Sequence, residues 1–178
     1  MELVLPDTET NQPTTFVDST ELLDNPAALR QRAAEDGYLY FKRFLPREEI
    51  LSLRTDMIAV VGKYGWRQKD QDPTGGLIDL EALNQVPEDM MRTDIGVSTA
   101  AYGDVQCLER FHRLPHHPYL IFLYQKLFGK DVLVHPRHIA RMITSHKTVF
   151  PTPPHQDFPL IQGTANTWTC WIRITKNG

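Results

Sequence analysis

Cysteine is scarce in this chain. Cys107 and Cys170 are the only two in 178 residues, too few for a disulfide framework and without metal-ligand spacing. Both are expected as buried, reduced thiols. Long apolar runs are also missing, since no stretch approaches the ~20 residues a membrane-spanning helix requires. The opening Met1-Glu2-Leu3-Val4-Leu5-Pro6-Asp7 lacks a basic region followed by an apolar run, so no secretory leader is read there. A cytoplasmic protein without membrane association is the expectation. Positive charge is not in excess: 19 Lys and Arg face 22 Asp and Glu, a formal net charge of −3. That balance argues against a nucleic-acid partner. Internal repeats, a glycine-rich phosphate loop and a nucleophile elbow are all absent.

What is present is the composition of a globular domain, 41% hydrophobic and 23% charged, in a chain long enough to bury a core. The charge is uneven. Residues 1–36 carry eight acids against Arg30 and Arg32, whereas residues 132–156 hold no Asp or Glu. That second stretch includes His135, Arg137, His138, Arg141, His146, Lys147 and His155. Such a run suits an anionic small-molecule substrate, and equally well an ordinary solvated strand face.

Local signals divide the chain into helices followed by strands. Residues 1–24 are polar and read as an irregular tail. Asp24 as a cap, Pro26 in the first turn and Gly37 as a stop predict a first helix. Tyr38 to Phe41 reads as a short strand. Pro46 opens a second helix with Glu48 and Glu49 in its favourable first turn. Its apolar residues Ile50, Leu53, Met57, Ile58 and Val61 recur at three and four, and Gly62 and Gly65 end it. Residues 68–102 mix a turn with short helical pieces. Pro118 begins a further helix, faced by Leu120, Leu123, Tyr124 and Leu127 and closed by Gly129. Residues 132–135, 138–143 and 167–174 read as strands, the last rich in Thr and Trp. The fold class is therefore α+β, with helices against one face of a sheet.

The chemistry concentrates at His155-Gln156-Asp157. Non-haem iron(II) oxygenases hold their metal with two His and one carboxylate, leaving positions open for substrate and oxygen. On extended backbone, residues i and i+2 point the same way, so His155 and Asp157 reach one ion. A helix would separate them, and Pro153 and Pro154 favour extension. By itself the motif is weak. Seven His and thirteen Asp supply roughly half a His-x-Asp by chance.

Its surroundings strengthen it. Asp36-Gly37-Tyr38-Leu39-Tyr40-Phe41-Lys42-Arg43-Phe44-Leu45, followed by a Glu-Glu-Ile helix, resembles the opening of the phytanoyl-CoA dioxygenase family. His117-Pro118 opening a helix that closes with Leu127-Phe128-Gly129-Lys130-Asp131-Val132 resembles its middle. Arg141-Met142, a proline-rich loop, His155-Gln156-Asp157 and a Thr- and Trp-bearing strand follow in the family's order. The resemblance spans about residues 25 to 172. It implies a double-stranded β-helix, or jelly roll, with helices packed on it. It also implies an oxygenase using Fe(II) and 2-oxoglutarate to hydroxylate an unactivated C–H of a small organic substrate. His155 and Asp157 would then be metal ligands and Gln156 a substrate neighbour. Trp171, Met142 and Arg141 would lie at the cosubstrate, although a Trp or Met on a strand is more often core.

The family pattern also needs a distal His and an anion-binding Arg. No His follows Asp157, and Arg173 is the only later Arg. A jelly roll has eight strands, of which about three are read. The expectation is thus residues 25–178 as the N-terminal portion of such a domain, truncated and inactive as this chain. A non-catalytic remnant or interaction module on the same fold is the alternative. His135 or His138 could serve as a third ligand, in which case a zinc hydrolase also comes into view. His112, His116 and His117 read as surface or capping residues.

Overall fold

In the computed structural model, α1 (Pro26–Asp36) begins at Asn25, whose Oδ1 accepts a hydrogen bond from the Ala28 amide at 3.1 Å. The cap is one residue later than Asp24 because Pro26, with no N–H of its own, takes the first helical position. The helix ends where Gly37 turns left-handed at φ 74°. Asn25→Ala should lower stability by about 1 kcal/mol in urea denaturation, and Asn25→Asp should leave it nearly unchanged. The described residues are 15–68, 76–142, 144, 146, 153, 155–164 and 166–174.

The second predicted helix is α2 (Arg47–Lys63), which buries Ile50, Leu53, Ile58, Val60 and Val61. Next comes α3 (Leu80–Asn84), capped by the Asp79 carboxylate. A hairpin then pairs β1 (Met91–Arg92) with β2 (Val97–Ser98), antiparallel, Met91 opposite Ser98. Ser98 also caps α4 (Thr99–Gln106) through its hydroxyl. After α5 (Glu109–Arg113), the His117 imidazole caps α6 (Pro118–Phe128), accepting from the Tyr119 amide at 3.1 Å. The last element is α7 (Phe158–Ile161).

Burial sorts these elements into two apolar clusters. The larger joins Leu53, Val60 and Val61 of α2 to Trp66, Leu83, the hairpin, Ala101 and Val105 of α4, Phe111 and Ala140. The smaller sets Leu29 of α1 against Leu123 and Leu127 of α6, with Leu22, Leu23, Leu39, Phe41 and Phe44 around them. Residues 15–24 therefore have a structural role. Asp18 bridges Tyr40, and Ser19 is buried.

Several expected strands take another form. The reading at Tyr38 to Phe41 reduces to that single bridge at Tyr40. Residues 132–142 form no ladder; from His138 onward the segment lies against α4 and α5 instead. Ala140 enters the main core, and the Met142 amide donates to the Ile95 carbonyl at 2.9 Å. Among the described residues the one sheet is the β1–β2 pair, which lies in the stretch whose sequence pattern was mixed. Both cysteines are exposed, against the expectation of burial. Cys107 follows the last turn of α4, where the chain leaves the core. No described helix is long and apolar enough to cross a membrane.

Candidate metal centre

His155 and Asp157 converge. The imidazole Nε2 lies 3.3 Å from Asp157 Oδ1. On its other side, His155 Nδ1 is 2.8 Å from the Pro153 carbonyl oxygen. A carbonyl only accepts, so Nδ1 carries the hydrogen and a neutral ring presents the Nε2 lone pair to the carboxylate. Two lone-pair atoms that close need a cation between them, either a proton or a metal. Metal–ligand bonds of about 2.1 Å at a right angle would separate two ligand atoms by about 3 Å, close to what is seen. Nitrogen with carboxylate oxygen is also the donor type that a non-haem iron site uses. Both side chains are about one-third exposed, 35% and 36%, so an ion can reach them.

Asp157 has helical angles, φ −71° and ψ −33°, and opens α7. The pair thus meets at the entry to α7, with each side chain held from behind.

Thr169 supplies the fixing on the carboxylate side, and sequence reasoning did not single it out. Its hydroxyl donates to Asp157 Oδ2 at 2.5 Å. One oxygen is thereby held by Thr169 while the other faces His155. Metal ligands are commonly oriented through such outer hydrogen bonds, whose loss costs about 10- to 100-fold in affinity. Thr169→Val should therefore weaken cobalt(II) binding by about tenfold or more, and Thr169→Ser should retain it, by calorimetric titration. The available signal was the i, i+2 relation of Thr169 to Trp171 in a Thr-rich segment.

The other expected residues are distributed as follows. Gln156 is exposed beside the pair. The Arg141 guanidinium sits over the Trp171 ring, 5.4 Å from its centroid, and Trp171 is 71% exposed. Met142 packs against the main core. Two open hollows among the described residues lie elsewhere, one by Leu127 and Trp168, the other by Val60 and Leu108.

Neither proposed third ligand joins His155 and Asp157. His135 Nδ1 accepts from the Arg137 amide at 3.1 Å, and His138 Nδ1 faces His112 Nδ1 at 3.2 Å. Among the described residues no group of three His, Cys, Asp or Glu is arranged to hold a metal. That removes the basis for a zinc hydrolase built on His135 or His138. His117 is a capping residue as expected, whereas His112 is engaged with His138 and not simply at the surface.

In sequence, the chain is similar to enzymes named as hydroxylases. One is 1-deoxypentalenic acid 11-beta-hydroxylase of Streptomyces arenae, 26% identical over 163 residues, which covers 89% of this chain and 52% of that protein. The enzyme of the same name from Streptomyces exfoliatus is 25% identical over the same length and coverage. The chain thus spans about half the length of these curated relatives. No family model matches, and no solved structure does.

Proposed function

We propose that this chain carries half of the iron(II) site of a 2-oxoglutarate-dependent oxygenase that hydroxylates a small organic substrate. The observation that carries the reading is the convergence of His155 Nε2 and Asp157 Oδ1 at 3.3 Å, each group oriented from behind. Its likeness to two proteins named as hydroxylases supports the reaction class. In the whole protein the framework would be a double-stranded β-helix with the N-terminal helices packed on it.

Iron(II) held at this pair with 2-oxoglutarate would activate dioxygen, the oxidant for C–H hydroxylation. The chain's own contribution is to hold and orient. His155 donates a neutral nitrogen, kept in one tautomer by the Pro153 carbonyl. Asp157 offers one oxygen, because Thr169 occupies the other. Its negative charge offsets part of the cation's. Arg141, Trp171 and Met142 would flank the cosubstrate, and Arg141 suits its carboxylates. Gln156, beside the ligands and exposed, would meet the substrate. The acid-free run over residues 132–156 suits an anionic ligand, and 2-oxoglutarate alone would account for it.

One observation favours a second reading, a non-catalytic module on the same fold. Only two donors converge among the described residues. Anaerobic titration with iron(II), or with cobalt(II) as a probe, tests the pair directly. The chain should bind one equivalent weakly, and His155→Ala or Asp157→Ala should each abolish binding. Unchanged affinity in both variants would remove the metal assignment. Succinate release from 2-oxoglutarate by the metal-loaded protein then separates the two readings, and its absence favours the second.

A further inference from the structure

Outside the candidate metal centre, a pair of imidazoles is held by hydrogen bonds and burial. His112 of α5 places Nε2 2.8 Å from the Gln106 carbonyl oxygen. That nitrogen must therefore be the donor, which leaves Nδ1 of a neutral His112 as an acceptor. His138 Nδ1 lies 3.2 Å from it, so His138 carries its hydrogen on Nδ1. The remaining nitrogen, His138 Nε2, is buried without a hydrogen-bond partner. A bare nitrogen tolerates that position better than an N–H would. Every proton in the pair is thus assigned. A proton added to His112 would set one N–H against another. A proton added to His138 would put an unsatisfied N–H into buried space.

We infer that His112 and His138 form a proton-sensitive latch, holding residues 138–142 against the helical body when neutral and releasing them in acid. The inference does not depend on the metal reading. The titratable groups acting on His138 are His112, His116 and His135, with no carboxylate among them. Of the charged residues on α5, Glu109 pairs with Arg113 at 3.5 Å and Arg110 with Asp56 at 2.7 Å. Among the described residues no acid is thus at hand to stabilise an imidazolium, and the His135 backbone carbonyl, which favours one, is outweighed by burial and by His112. Burial first, and then the neighbouring His112, hold the His138 pKa below its ordinary value. The folded state therefore takes up fewer protons than the unfolded one. The latch is at full strength above the usual imidazole range near pH 6.5 and weakens as pH falls below it.

What the latch secures is specific. Gln106 Nε2 donates to the His138 carbonyl at 3.3 Å, Ala140 fills the main core, and Met142 bonds Ile95. Arg141, in the same segment, covers Trp171, and Trp171 is two residues from the hydroxyl that holds Asp157. Release in acid would loosen that layer.

Nitrogen-15 NMR of the full chain at pH 7.5 should find His112 protonated at Nε2 and His138 at Nδ1. Amide protection at residues 138–142, corrected for intrinsic exchange, should fall by up to about tenfold between pH 7.5 and 5.5, the most that one imidazole of ordinary pKa near 6.5 can contribute over that range. In His138→Gln, whose amide can still donate to His112 but does not titrate, that fall should vanish. An Nε2-protonated His138, constant protection in the wild type, or the same fall in the variant would each overturn the latch. So would stoichiometric zinc(II) taken up first by these two rings. If the variant fails to fold, the tautomers and the wild-type protection still decide.

Discussion

Gly96→Ala should destabilise the protein by about 3 kcal/mol or more, the largest effect expected of any single methyl group added to this chain. Gly96 sits at φ +94°, where a side chain is strained whatever the space around it. Space is also missing. A Cβ built there would stand 1.9 Å from the Met142 carbonyl oxygen, and backbone cannot swing aside as a long side chain can. Relief would require residues 140–142 and Thr144 to move off the hairpin. That would break the Met142–Ile95 bond and the hydrogen bond from the Thr144 hydroxyl to the Gly96 carbonyl at 3.3 Å. Strain of about 1–3 kcal/mol and two hydrogen bonds of about 1 kcal/mol each make up the estimate. A urea midpoint that drops at constant slope is the measurement. A loss under about 1 kcal/mol would mean that the close approach is not part of the stable fold.

Leu29→Ala comes next, at about 3 kcal/mol. Leu29 is wholly buried between α1 and α6 against Leu123 and Leu127, so truncation leaves a cavity in the smaller cluster. Polar clamps span the same junction. Arg30 donates to the Lys126 carbonyl at 2.7 Å, and Lys126 reaches both the Leu23 carbonyl and Asp24. Magnitude decides between them. The Asp24 side chain is fully solvated, and an exposed ion pair contributes roughly 0–1 kcal/mol. Apolar burial therefore holds α1 to α6, with the clamps setting register. Asp24→Ala should change stability by no more than about 0.5 kcal/mol. Were that variant as damaging as Leu29→Ala, the ranking would be wrong.

The helices were legible because their signals are local. Pro26 and Gly37 bracket α1, the three-and-four spacing from Ile50 to Val61 marks α2, and Pro118 and Gly129 bracket α6. Each depends on neighbours within a turn or two of the same backbone. Residues 132–142 were not legible in this way. Their alternation reads as strand, but a strand is defined by its partner, and here the segment lies on helices and on the Ile95–Gly96 turn. The β1–β2 hairpin escaped for the converse reason. Two residues per strand are too few to show a period.

At the site, residue types were visible and arrangement was not. His155 and Asp157 stand out as a donor pair two apart, whatever the fold. That the two side chains converge to 3.3 Å at the entry to α7 is decided by the folded chain. That Thr169 steadies the carboxylate depends on a segment twelve residues later returning to it. The histidines make the same point. His112 and His138, 26 residues apart, come within 3.2 Å only because α5 and the segment after α6 pack side by side. Composition and spacing determined the helices and supplied the donors. Packing alone decided which donors meet, since that depends on contacts between residues far apart in the chain.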